Sequence, residues 1–250
     1  MELSSILQKY CGAADHHKTG LFLLDLPTGF GKTYEVVNFI YQHYQSLGRK
    51  IVFITDQKKN LPLEALKKRF EEDGRLPEFE HDVIQIDANV DCVIENLLIH
   101  EEQIPEEIKS DKSFKKLSEN IAHFKELSVQ TDATSIAADL AEKIKEDIRN
   151  KHEPRFRQFV SKYIQKRTGN KKKAIELVKK SPDYQWIAKV YPAALSAQKR
   201  VFFMSIHKFL VKNTPVVSPA HEFMDKSFLK NALIFIDEFD ASNLGHWQTS

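Results

Sequence analysis

The chain carries two cysteines, Cys11 and Cys92, in 250 residues. Two thiols cannot build a disulfide framework, nor by themselves supply the four thiolates of a structural zinc or an iron–sulfur cluster. That scarcity points to a reducing, intracellular setting. Long apolar runs are also missing: the longest, such as Leu21 to Leu24, fall far short of the about 20 residues that span a bilayer. The N-terminus lacks a basic start followed by an apolar stretch, so no secretory leader is expected. The chain reads as soluble, without a membrane partner, and as cytoplasmic if bacterial. Internal repeats and low-complexity tracts are absent as well. What is present is 42% hydrophobic content, enough for one good core and an appendage.

The formal net charge of +2 conceals an asymmetry. Between Arg149 and Lys180 stand twelve Lys and Arg residues against Glu153 and Glu176, a local charge of +10. The rest of the chain is therefore acidic.

Periodicity divides the chain. Leu3, Ile6, Leu7 and Tyr10 suit a short helix over residues 1–14, starting near Ser4 or Ser5. Leu21-Phe22-Leu23-Leu24-Asp25-Leu26 reads as a strand covered on both faces and ending at Pro27. An amphipathic stretch with Val36, Val37, Phe39, Ile40 and Tyr44 follows and ends near Gly48. Ile51 to Thr55 is a second strand, Leu61 to Phe70 a second helix, and Val83 to Ile86 a short third strand. From about Asp87 to Ala197 the strand signal fades into charged, helix-period sequence interrupted at Pro105, Pro154, Gly169, Pro182 and Pro192. Strands return at Val201 to Ser205 and at Leu233 to Ile236. The alternation predicts an α/β fold with a parallel sheet and right-handed crossovers, carrying a mainly α-helical insertion. The expected domains are residues 1–99 and 198–250 as two parts of one sheet domain, with residues 100–197 as the insertion.

Chemistry enters at Gly29-Phe30-Gly31-Lys32-Thr33, between a strand and a helix. Binding a triphosphate requires backbone N–H groups turned inward around it, which glycines permit through unusual dihedrals and the lack of a side chain. Lys32 is suited to the β- and γ-phosphates and Thr33 to Mg²⁺, and the helix N-terminus adds partial positive charge. A carboxylate must also hold the metal's water shell. Leu233-Ile234-Phe235-Ile236-Asp237-Glu238 brings one to the end of a strand: Asp237 for Mg²⁺ through water, and Glu238 to orient and polarise the attacking water. His16-His17 lacks a third or fourth ligand at metal spacing and reads as a loop.

Pro27-Thr28-Gly29-Phe30-Gly31-Lys32-Thr33 resembles helicase motif I, and Asp237-Glu238-Phe239-Asp240 resembles the Asp-Glu-x-Asp/His box of the superfamily 2 helicases. Val52 to Gln57 stands where motif Ia belongs, and Val201 to Ser205 is similar to the strand before the acidic box. Leu26 occupies a position where the full phosphate-loop pattern has glycine, a position these helicases commonly relax. Asp25 resembles the acidic residue before motif I in CRISPR-associated helicase–nucleases and in iron–sulfur helicases; the latter also insert helical material before the acidic box. Their cluster does not carry over to a chain with two cysteines. Gln8 lies about where some helicases place an adenine-reading glutamine, without the surrounding motif. The resemblance covers residues 21–60 and 200–240. It implies a RecA-like P-loop NTPase sheet, ATP and Mg²⁺ as ligands with residues 27–33 as the binding loop, and DNA or RNA as partner. It also implies a second RecA-like domain that supplies a transition-state arginine. The chain stops ten residues after Asp240, so that domain is expected in a longer protein, and this portion is expected to bind nucleotide, hydrolyse it weakly and unwind nothing. A P-loop ATPase coupled to a protein partner is the alternative, and a binding module with a decayed ATP site is a third reading.

The basic window supports two readings. Phe156, Phe159, Val160 and Tyr163 recur at helical spacing, which makes them a buried face with Arg155, Arg157, Lys162 and Lys166 solvated around it. Alternatively, those four cations contact a phosphate backbone. Both can hold on one helix.

Overall fold

The computed structural model describes residues 2–12, 29–130 and 135–237. The expected strand at residues 21–26, Pro27, Thr28, His16, His17 and Glu238 to Asp240 lie outside these. In chain order the helices are α1 (Leu3–Cys11), α2 (Lys32–His43), α3 (Leu63–Glu72), α4 (Leu76–Asp82), α5 (Asn89–Asn96), α6 (Glu106–Lys109), α7 (Lys112–Gln130), α8 (Ser135–Asp147), α9 (Glu153–Thr168), α10 (Lys171–Lys180), α11 (Pro182–Val190), α12 (Ile206–Leu210) and α13 (Lys226–Leu229). The strands are β1 (Lys50–Thr55), β2 (Val83–Gln85), β3 (Val201–Ser205) and β4 (Ala232–Ile236). Two compact units result: Met1–Ile86 with Gln198–Asn213 and His221–Ser250, and Asp87–Ala197 with Thr214–Ala220.

The first unit is an α/β fold with an all-parallel sheet of order β2-β3-β1-β4, consistent with the expected RecA-like sheet. Its strands are β-branched and aromatic, and alternate residues fill the two faces. Ile51, Phe53, Val201 and Phe203 join Leu3, Leu7, Val37, Ile40, Leu66 and Phe70 in one core, so α1, α2 and α3 cover that face. Phe53 and Phe203 are register partners, stacked at 5.6 Å between centroids. On the other face Phe202 meets Phe228 at 5.3 Å and Phe223 at 6.2 Å. β4 is half-buried and, among the described residues, pairs on one side, with β1.

Several boundaries differ from the periodicity. α1 begins at Leu3 with Glu2 as its cap, so Ser4 and Ser5 lie inside its first turn. α2 ends at His43, and a turn leads to Gly48, whose φ of 62° belongs to the left-handed region. α4 has no counterpart in the sequence reading. It carries Glu78, which accepts from Arg75 through both Nε (3.0 Å) and Nη2 (2.6 Å), from the Tyr44 hydroxyl (2.9 Å) and from Gln45 (3.0 Å). Arg75 also lies over the Tyr41 ring, at 5.2 Å, and Tyr41 donates its hydroxyl to Asp73. This cluster clamps α4 to the C-terminal end of α2.

The second unit is helical, as expected, but begins at Asp87 rather than residue 100 and takes back residues 214–220. Val216 and Val217 are buried in its core with Phe114, Phe156, Val160, Trp186 and Ile187. Pro154 lies near the start of α9, on a helical path that continues from α8 without a break. A π turn at Ile148–His152 precedes it, widening the helical path where a proline ring would otherwise meet a carbonyl. Gly169, at φ 65°, closes α9, and Asn170 caps α10 by accepting from Lys173 N–H at 3.0 Å.

Inside this unit Glu153 is almost fully buried and accepts from Arg157 Nε at 2.8 Å. Arg157 donates as well to the Thr214 carbonyl at 3.3 Å, which also accepts from Asn89 at 3.2 Å. Burial and the neighbouring Glu153 together push the Tyr191 hydroxyl well above its ordinary pKa.

Two predictions follow from these clusters. Arg157→Ala leaves Glu153 buried without its counter-charge, a loss expected to cost about 3 to 5 kcal/mol. Urea unfolding followed by circular dichroism measures it, and an unchanged midpoint would contradict the pairing. Glu78 is held down to a pKa of about 2, chiefly by Arg75 and then by Tyr44, against about 4.3 in an unfolded chain. A depressed folded pKa means stability that is present above that unfolded value and lost as pH falls toward 2. Glu78→Gln is therefore expected to flatten the acid limb of stability between about pH 4.5 and 2, and equal acid limbs in the two proteins would refute it.

Candidate nucleotide site

In a parallel sheet every strand presents its carboxyl end to the same edge, where open α/β folds take ligands. Thr55, Ser205 and Asp237 come to that edge. Thr55 is the register partner of Ser205, and Asp237 N–H donates to the Ile54 carbonyl at 2.9 Å, continuing the β1–β4 ladder by one step. Each polar group there has a local task. The Thr55 hydroxyl donates to the Gln57 carbonyl at 2.8 Å, and the Ser205 hydroxyl accepts from Lys208 N–H, capping α12.

The loop from Gly29 leads into α2. Gly29 and Gly31 have φ of 83° and 77°, a region that residues with a Cβ rarely occupy. A Cβ built at either would meet nothing within 4 Å, so dihedral need rather than crowding selects glycine. Gly31 caps α2 without help from a side chain. The first helical hydrogen bond runs from Glu35 N–H to the Gly31 carbonyl, at 3.0 Å. The N–H groups of Lys32, Thr33 and Tyr34 are thus outside the helix's own ladder, at its positive end.

Sequence positions 204 apart meet here. The Thr33 hydroxyl donates to Asp237 Oδ2 at 2.5 Å, joining the start of α2 to the end of β4. A hydroxyl and a carboxylate side by side form a hard-oxygen donor set of the kind magnesium takes, together with phosphate oxygens and water. Among the described residues no group of three or more His, Cys, Asp and Glu side chains is placed to hold a metal ion. The residues present fit a magnesium ion carried in with a phosphate ligand.

Two further side chains border the loop beyond the expected residues 27–33, Tyr34 and Arg69. Phe30 is 55% exposed and Tyr34 60% exposed, and the Arg69 guanidinium of α3 lies over the Tyr34 ring at 4.9 Å from its centroid. Arg69 is separated from the loop by a strand and a helix boundary, so no motif spacing could have found it. Gln8 is exposed on α1, whose Leu3 and Leu7 pack in the same core as α2.

The four cations singled out in the basic window fall into two groups. Arg155, Lys162 and Lys166 are exposed on α9. Arg157 is instead committed to Glu153 and to the Thr214 carbonyl, because its position in the helix turns it toward the core. Of the expected buried face, Phe156, Val160 and Tyr163 are buried and Phe159 is partly buried, and Ile164 completes it.

Among the described residues no helix is long and apolar enough to cross a membrane. No protein-family model matches this chain, and no curated protein matches it in sequence.

Proposed function

We propose that the chain is the ATP-binding part of a nucleic-acid-dependent ATPase of the superfamily 2 helicase or translocase type. The observation that carries this reading is the hydrogen bond from Thr33 to Asp237. A phosphate loop alone is compatible with many ligands. A loop hydroxyl in contact with a strand-end carboxylate is the pairing required when a metal-bound triphosphate is the ligand.

In this reading the N–H groups of Lys32, Thr33 and Tyr34, with the glycine backbone before them, bind phosphate oxygens. The Lys32 ammonium supplies the main countercharge to the β- and γ-phosphates. Thr33 and Asp237 would hold magnesium, which when bound neutralises charge developing on the transferred phosphoryl group. Glu238, one residue beyond Asp237, orients a water molecule and accepts its proton as the water attacks; it lies outside the described residues, and this role rests on the sequence. The motor reading over a generic P-loop ATPase is supported by the sequence style of Pro27-Thr28 and Phe239-Asp240.

Two measurements test the proposal. ATP or ADP with Mg²⁺ is expected to bind the wild-type chain in titration calorimetry, and Lys32→Ala to abolish binding. Thr33→Val and Asp237→Asn are expected to remove the Mg²⁺ dependence of that affinity. Wild-type nucleotide affinity in folded Lys32→Ala protein would sink the assignment. For chemistry, Glu238→Gln preserves shape but removes the base, so nucleotide should still bind while turnover in a full-length protein that includes the second RecA-like domain falls about 100-fold or more. Equal turnover by the two proteins would mean the acidic box is not catalytic.

A further inference from the structure

α9 sorts its charges by face. At about 100° per residue, Phe156, Val160, Tyr163 and Ile164 fall on one side of the helix and Arg155, Gln158, Lys162, Gln165 and Lys166 on the opposite one. The structure agrees: the first set is buried and the second exposed. Glu153, the one acidic residue of α9, is on the inner side, neutralised by Arg157. The exposed stripe therefore has no carboxylate of its own.

Three other cations of the basic window besides Arg157 have carboxylate partners. Lys151 pairs with Asp147 at 2.6 Å, Arg167 with Glu107 at 2.9 Å and Lys180 with Glu176 at 2.7 Å. Arg155, Lys162 and Lys166 make no ion pair among the described residues, and neither do Lys172 and Lys173, both exposed in the first turn of α10 just beyond the Gly169–Asn170 turn. That first turn has no acidic residue, although a helix N-terminus disfavours cations. Among the described residues these cations thus form an array without carboxylate partners.

We infer that the stripe Arg155–Gln158–Lys162–Gln165–Lys166 on α9 is a docking surface for the sugar–phosphate backbone of a nucleic acid. This deepens the proposed function and rests on its nucleic-acid half, but it does not involve the nucleotide site. The stripe is about 16 Å long, the axial rise of roughly five nucleotides of one duplex strand. Its glutamines add neutral donors for phosphate oxygens between the charges. No large apolar side chain is exposed on α9 or α10, so the surface lacks the anchors by which an amphipathic helix enters a lipid interface. A line of charges without apolar or acidic elements fits a uniform polyanion better than the mixed surface of a folded protein. Because the contacts are to phosphate, binding is indifferent to sequence.

The test uses the whole chain and a fluorescently labelled oligothymidylate, with anisotropy followed across a salt titration. Wild type is expected to bind with an affinity that falls steeply with salt. Arg155→Glu/Lys162→Glu/Lys166→Glu is expected to bind at least tenfold more weakly, with a salt slope lower by about 2, the release expected from three lost contacts on a single strand. The corresponding triple glutamine variant should fall between the two, which guards against misfolding of the reversed-charge protein. Arg157→Lys should leave the slope unchanged, since that residue faces the core. Nucleotide affinity should be the same in all of them. Wild-type binding with the same slope in both triple variants would overturn the stripe while leaving the ATPase reading intact. No oligonucleotide binding by wild type at low salt would overturn the stripe together with the nucleic-acid half of the proposed function. Binding of phosphatidylserine vesicles, or competition by polyglutamate, as strong as that of the oligonucleotide would overturn the choice of partner.

Discussion

The contact between Thr33 and Asp237 exists because of a constraint on parallel sheets. Strands that run the same way end at one edge, so a residue following β4 and a residue opening α2 can share a locality although 204 positions separate them. The Asp237 N–H bond to Ile54 sets where β4's pairing stops, and thereby where its carboxylate begins. Gly31 in turn sets where α2 starts, since a left-handed residue ends the preceding loop and releases the first three N–H groups of the helix. A register slip of one residue in β4 would turn Asp237 to the other face of the sheet and separate the pair.

α2 is held at its other end as well. Tyr44, its C-terminal cap residue, gives its hydroxyl to Glu78, and the bidentate Arg75 keeps that carboxylate ionised and fixed. Desolvation and Glu78 together raise the Tyr44 pKa to about 12, so the phenol remains a donor throughout the neutral range. With its inner face in the core and its far end clamped, α2 presents its first turn as a rigid element. Preorganised donors of this sort bind an anion without the cost of ordering them.

In the second unit one ion pair decides what the surface looks like. Drawing Glu153 inside takes the only carboxylate of α9 off the exterior, and Arg157 must go with it, because a buried carboxylate without a counter-charge is destabilising by several kcal/mol, on the order of 3 to 5. The same Arg157 secures the carbonyl of Thr214, where the chain begins its seven-residue return into this unit. The bridge between Asn213 and His221 closes the base of that excursion in the first unit, with hydrogen bonds of 2.7 and 3.0 Å.

The sequence by itself determined the class of fold, since β-branched and aromatic runs alternating with helix-period segments admit few arrangements other than a parallel α/β sheet. It also determined the loop chemistry of Gly29 to Thr33, because left-handed φ, an ammonium and a hydroxyl at fixed offsets are local properties. The helical character of the insertion and the buried face of α9 were equally legible in spacing. Tertiary structure decided the rest. That Thr33 touches Asp237, that Arg69 stacks on Tyr34, and that residues 214–220 belong to the helical unit are long-range facts with no periodic trace in the chain. α4 escaped notice because Pro77 and four charged or titratable neighbours mask its short apolar pattern. Arg157 shows the difference most clearly: by composition it equals Arg155, Lys162 and Lys166. Its angular position on α9, next to a carboxylate that burial has stripped of water, makes it an internal counter-ion while the other three face solvent.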